Sequence, residues 1–305
     1  MKNLLFEHLI FAAALLASSF ASNTAHAAVQ VVTSTQDLAA LTAEVGGADV
    51  VVSTIARGDL DPHFIDAKPS FMVKLASADM VVVVGMELEI GWMPALLTGA
   101  RNAKIQPGSR GYLDASTAIV PIEVPSGSMD RSRGDLHPQG NPHYWLDPEN
   151  GRRIARVIEA RLIELDPTHA VNYQRNLGAF EAKLTQKEAD WAAKMAPLKG
   201  ASIVGYHSTY DYFFSRYGLK IVGFVEPKPG IPPTPSHTLE LGAAAKAAGA
   251  KFVVVEPFHN PADATPIGTA SGAKVVTVPS AVGGLADVKT YFDLFDRIVF
   301  TLTGK

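Results

Sequence analysis

The sequence predicts an α/β protein of two Rossmann-like lobes, each built on a parallel sheet, joined by one long rigid helix. Three observations predict it. Valine-rich runs such as Val29 to Thr33, Met80 to Val84 and Phe252 to Val255 are continuous rather than alternating, which suits parallel strands covered on both faces. These runs alternate with helical segments, the pattern of βαβ units. Between two such series lies an unbroken helical run from about Pro167 to Met195, roughly 40 Å long at 1.5 Å per residue, long for one small domain and suited to spanning two.

In the first series, Val29 to Thr33 reads as a strand, Gln36 to Val45 as a short amphipathic helix and Asp49 to Thr54 as a second strand. Ser70 to Ala78 is helical and Met80 to Val84 is a strand. Ser126 to Asn141 is rich in Gly, Ser, Arg and Asp and reads as a mobile loop. Pro148 to Leu165 is a helix. The long helix follows, with Pro167 at its first position after Asp166 as cap, and Val171, Leu177, Phe180, Leu184 and Trp191 at near-helical spacing. The pattern then restarts. Ser202 to Gly205, Lys220 to Val225, Phe252 to Val255 and Val275 to Val278 are strands, and Tyr210 to Tyr217, Thr238 to Ala248, Pro261 to Ser271 and Val288 to Leu302 are helices.

The N-terminus reads as a targeting segment. Lys2 supplies a positive n-region, Leu9 to Phe20 an apolar h-region, and Ala25-His26-Ala27 a small-x-small cleavage site. The apolar run is too short for a membrane span. Cleavage leaves about 278 residues, enough for two domains of ordinary size. The expected division is 1–27 signal peptide, 28–165 first lobe, 166–198 linking helix and 199–305 second lobe. A net charge of −3 with no basic stripe excludes nucleic acid as an expected partner. Cysteine is absent, which removes disulfides, thiolate ligands and a lipidated anchor. A freely soluble periplasmic monomer is the expectation.

Three histidines sit in turn-like settings: His63 in Asp61-Pro62-His63, His143 in Asn141-Pro142-His143-Tyr144-Trp145, and His207 directly after the Ser202 to Gly205 strand. They are 64 to 80 residues apart, so only a tertiary fold can bring them together. Neutral imidazole is a common zinc ligand, and three would make most of a tetrahedral site. Taken singly, a loop histidine is more often a surface or capping residue, and composition leaves both readings open.

In this order the motifs resemble the zinc- and manganese-specific solute-binding proteins of ABC importers, the cluster A-I family. The resemblance is carried by Asp61-Pro62-His63, by Asn141-Pro142-His143-Tyr144-Trp145-Leu146-Asp147-Pro148, by Gly205-Tyr206-His207 before Tyr210-Asp211-Tyr212-Phe213, and by Val255-Glu256-Pro257. It spans Val29 to Leu302. It implies two lobes about a rigid helix, metal in the cleft, and His63, His143 and His207 as ligands. Histidine at the third position implies zinc, where manganese-type members usually carry glutamate; imidazole suits zinc and carboxylate suits manganese. The family's usual aspartate after the last strand is missing from Val278 to Gly284. Glu256 then stands as a fourth-ligand candidate, beside a purely orienting role for it and beside water.

The implied function is capture of a divalent metal, Zn2+ ahead of Mn2+, and delivery to an ABC permease of the inner membrane. A periplasmic metallochaperone that loads the site is a second candidate partner. An exported zinc hydrolase with three histidines and a metal-bound water is the alternative, although the chain has no His-Glu-x-x-His helix and no Gly-x-Ser-x-Gly elbow. An adhesin is a third reading. His137 alone is a thin version of the histidine- and acid-rich stretch that many family members carry in this loop, and Asp135 beside it adds little; the proline-dense Glu226 to Pro235 reads as a rigid loop, and His237 and His259 read as solvent-facing.

Overall fold

The computed structural model describes residues 27–125 and 137–305. The proposed leader before Ala27 and the 126–136 part of the loop, Asp135 included, lie outside the described residues. Strands β1 (Val29–Thr33), β2 (Val50–Thr54), β3 (Met80–Val83) and β4 (Tyr112–Asp114) form a sheet in the order β2-β1-β3-β4. Strands β5 (Ser202–Gly205), β6 (Lys220–Phe224), β7 (Phe252–Val255) and β8 (Lys274–Thr277) form a second sheet in the order β6-β5-β7-β8. Every pairing is parallel, and the two sheets share one topology. The valine runs explain this. All four residues of β3 are buried, so both faces need apolar side chains and a helical cover.

Helices supply that cover. In the first lobe they are α1 (Gln36–Gly46), α2 (Pro69–Ala76), α3 (Met93–Ala100) and α4 (Pro148–Leu165). Then come α5 (Ala170–Met195), α6 (Asp211–Tyr217), α7 (Pro235–Ala247), α8 (Pro261–Ser271) and α9 (Tyr291–Thr303). Local chemistry sets their starts. Asp147 caps α4 by accepting the Glu149 N–H at 2.9 Å, with Pro148 in the first turn. Thr290 and Asp293 form a capping box, so α9 begins at Tyr291 and not at the expected Val288. The expected long helix starts as a 3-10 turn over Pro167–His169. Asp166 ties that turn by accepting from Thr168, His169 and Tyr173, and α5 proper begins at Ala170. Two elements escaped the sequence reading. β4 has three residues and no β-branched run, and α3 is short and nearly uniformly apolar, so neither shows a period.

α5 is bolted to both lobes. It packs on α1 and α4 of the first lobe and on α9. Phe180 meets Phe292 at 5.4 Å between ring centroids, and Trp191 meets Phe295 at 5.0 Å. The lobes also join directly across the cleft. Trp145 Nε1 donates to the Ser280 carbonyl at 2.9 Å, Tyr212 Oη to the Asn141 carbonyl at 2.9 Å, and the Val282 N–H to Asp37 Oδ1 at 2.8 Å. The carboxyl ends of both sheets therefore face one crevice, where α/β proteins place ligands.

Candidate metal centre

Each of the three histidines reaches the crevice from a different element. His63 lies in the loop between β2 and α2, His143 in the loop before α4, and His207 just past β5. The first two are set by the same local device. Asp61 Oδ1 accepts the His63 backbone N–H at 3.0 Å and pairs with its Nδ1 at 2.7 Å. Asn141 Oδ1 accepts the His143 backbone N–H at 2.9 Å and pairs with its Nδ1 at 2.9 Å. An Asx side chain bonding two residues ahead makes an Asx-turn, and the intervening proline stiffens it. Trp92 Nε1 anchors the first turn through the Pro62 carbonyl at 2.9 Å.

His207 is held by tertiary register instead. β5 pairs with β6, and the Glu226 N–H extends that pairing to the Tyr206 carbonyl. Glu226 Oε2 then lies 2.9 Å from His207 Nδ1 and also accepts the Gly230 N–H at 3.1 Å. With an acceptor at every Nδ1, each ring keeps its proton there and presents Nε2 for coordination.

The three rings form a near-equilateral group, with centroids 5.2, 5.3 and 5.5 Å apart. One ring nitrogen from each lies within 4.8 Å of the others, the metal-competent group among the described residues. A tetrahedral zinc with Zn–N of about 2.0–2.1 Å holds its donors roughly 3.4 Å apart, so a small contraction suffices. His143 is 3 % exposed. Burial, followed by the charges of His63, His207 and His137, pushes its imidazole well below the usual range, so it is neutral and ready to bind. Burial works to raise Asp61, but the hydrogen bond and charge of His63 outweigh it and leave the carboxyl below its ordinary value. Trp145 is buried and backs His143 at 5.4 Å between rings.

Glu256 does not stand among these nitrogens. It is fully buried at the end of β7, and neither carboxyl oxygen has a hydrogen-bond partner. Burial is the dominant influence and pushes it up to about 8, so it is neutral over most of the physiological range. A carboxyl sealed in this way is poorly suited to a metal ligand. His137 is closer to the centre than the sequence suggested. Its Nε2 faces His63 Nε2 at 3.2 Å and its Nδ1 is 2.9 Å from the Met86 carbonyl, although it stands outside the mutually close trio. His259, expected in solvent, lines the cavity and stacks on Tyr206 at 4.0 Å. His237 is half-buried and reaches the Phe224 carbonyl at 2.9 Å. The hydrolase alternative finds no support. The carboxylates beside the imidazoles, Asp61 and Glu226, each hold an Nδ1 and leave neither as a general base.

Residues 31–304 match the family described as ZnuA, zinc-uptake complex component A, periplasmic. The chain belongs to this family. It is 26% identical over 310 residues to the high-affinity zinc uptake system protein ZnuA of Yersinia pestis, covering 96% of this chain and 94% of that one. It is 28% identical over 220 residues to the manganese ABC transporter substrate-binding lipoprotein PsaA of Streptococcus pneumoniae, 70% of this chain and 67% of that one. A crystal structure of ZnuA superimposes with a TM-score of 0.75 at 23% identity over 91% of this chain and 98% of that one, a likeness of fold. The two-lobed α/β fold read from the sequence is therefore the fold of the ZnuA family. Among the described residues no helix is long and apolar enough to cross a membrane.

Sequence reasoning passed over the residues that aim the ligands. Asp61 and Asn141 were read as turn formers, yet the repeated Asx-Pro-His is a signal that each also grips the imidazole that follows. Glu226 was read only as the edge of a proline-rich loop. Finding it requires knowing that β5 and β6 are neighbours.

Proposed function

We propose that this protein binds one zinc ion between its lobes through Nε2 of His63, His143 and His207, and hands it to an ABC permease of the inner membrane. The observation that carries the reading is the convergence of three imidazoles from three elements, each with Nδ1 held by a separate acceptor. An all-nitrogen donor set suits zinc better than manganese, which favours carboxylate and water. The fourth place is left to water, to His137 at the outer side of His63, or to a ligand from solution. The protein acts by capture and release without turnover. Export behind the proposed leader, a monomeric state and loading by a metallochaperone belong to the same reading.

Calorimetry on the mature chain tests it. The expected result is one zinc per chain, with a loss of affinity of orders of magnitude on replacing any one of His63, His143 or His207 by Ala. Wild-type stoichiometry and affinity in all three variants would refute the assignment.

A further inference from the structure

Two of the three ligand histidines follow an Asx-Pro turn, and the Asx residue differs between them. It is Asp61 before His63 and Asn141 before His143. The turn asks only for one acceptor oxygen, which either residue supplies. The difference lies in the second atom of the side chain. Asn141 is 5 % exposed, and its Nδ2 faces the Ser208 carbonyl at 2.7 Å and Glu123 Oε2 at 3.0 Å. Both are acceptors. An amide nitrogen carries two protons and satisfies both, whereas a carboxylate oxygen would repel both. One amide thus spends all its bonding capacity on the site. Its Oδ1 holds the His143 backbone N–H and ring in the first lobe, and its Nδ2 holds the residue after His207 in the second.

Glu123 is set to receive that amide. The residue lies at the surface, and its φ of 55° is in the left-handed region that side chains rarely adopt. Such a conformation persists where surrounding contacts hold it. Here the Asn141 N–H donates to the Ile122 carbonyl at 2.9 Å, the Ile122 N–H to Tyr212 Oη at 3.2 Å, and Tyr212 Oη to the Asn141 carbonyl at 2.9 Å. Beside the Glu123 carboxyl stands Asp211, the first residue of α6, 3 % exposed and with no donor facing either oxygen. Two carboxyl groups in contact hold together only through a proton between them. Burial, then the Glu123 carboxyl, push Asp211 up to about 9, so it keeps its proton at neutral pH and offers it to Glu123. Glu123 is therefore held by Asp211 while it holds Asn141.

We propose that Glu123 is a positioning residue of the metal centre: it fixes the Asn141 amide, which ties the His143 turn of one lobe to the His207 loop of the other. The inference rests on the three-histidine metal site proposed above. It accounts for asparagine in this turn where the matching turn at His63 uses aspartate.

A double-mutant cycle tests it, with zinc affinity of the mature chain read by competition with a chromophoric chelator. Asn141→Asp keeps the acceptor for His143 and sets a carboxylate oxygen against Glu123 and the Ser208 carbonyl. Zinc affinity should fall about 10- to 100-fold. Glu123→Gln still offers an oxygen to Asn141, a weaker acceptor, and should lose a few-fold. In the double variant the new amide donates to the new carboxylate. Affinity should recover at least about fivefold over Asn141→Asp alone, within the range of measured pairwise couplings. A residue that merely tethers its own loop gives no such recovery, so a double variant no tighter than Asn141→Asp overturns the proposal. If Asn141→Asp does not fold, Glu123→Ala at the surface carries the test. Its zinc affinity should be several-fold weaker and the visible bands of its cobalt(II) form shifted, and wild-type affinity with unmoved bands overturns the proposal. A wild-type chain that binds no zinc overturns the metal reading and this inference together. Zinc bound by wild type, without recovery in the double variant, overturns this inference alone.

Discussion

Replacing Glu256 by Gln separates two roles for the most deeply buried carboxyl near the site. In the folded chain, burial lifts its pKa from 4.5 to about 8. A carboxyl raised in this way stabilises the fold relative to an ionised one at low pH, and that contribution is lost as pH rises from the unfolded value through the folded one. At pH 5.5 the unfolded chain has already released most of this proton, and by pH 8 the native state has paid nearly the whole difference. Between those two conditions the wild type should lose about 3 kcal/mol from this group alone, taking roughly 1.4 kcal/mol per pH unit over just over two units. Gln is nearly isosteric and does not titrate. The difference in unfolding free energy between Glu256→Gln and wild type should therefore move by about that amount in favour of the variant. Urea unfolding with a chelator present, at the two pH values, measures it. Zinc affinity should stay within a few-fold of wild type. A pH-independent difference together with a large loss of zinc affinity would show that Glu256 is ionised and ligating, and would refute the reasoning from its burial.

Two further changes probe how the centre is held. A Cβ on Gly58 would collide with the Val282 carbonyl and crowd the Gly284 N–H, both on the opposing lobe. Gly58→Ala should prise the lobes apart beside His63, and an overpacking cost of about 1–3 kcal/mol relieved by that opening corresponds to a zinc affinity weaker by roughly ten- to a hundredfold; unchanged zinc affinity by chelator competition would show that the loops yield without moving the ligands. Glu226→Gln leaves the three ligands in place and weakens the acceptor at His207 Nδ1. Zinc affinity by calorimetry should fall about 10- to 100-fold, the usual effect of removing a group that orients a metal-bound histidine, and a wild-type value would count against the orienting role.

The readable part of this protein was the part written in local periods and short motifs. Continuous valine runs imply buried parallel strands because no other element hides both faces of an extended segment. The run between Pro167 and Pro197 implies a long helix because no proline interrupts it and its apolar residues keep near-helical spacing. Asp61-Pro62-His63 and Asn141-Pro142-His143 already contain their own turn geometry, since the Asx side chain reaches only two residues ahead. What lay beyond the sequence depends on strand order and on how far side chains sink. Glu226 meets His207 because β6 pairs with β5. His137 faces His63 across 74 residues of chain, and Thr35 and Ser280 share a cavity across the two lobes. Glu256 shows the limit most plainly. As a residue type at a strand end it resembles a ligand, and only its depth in the fold reveals a neutral, unpartnered carboxyl. The physical reason is common to all four cases. Residue identity states what a group can do, whereas desolvation and distance, set by segments remote in sequence, decide which of those things it does.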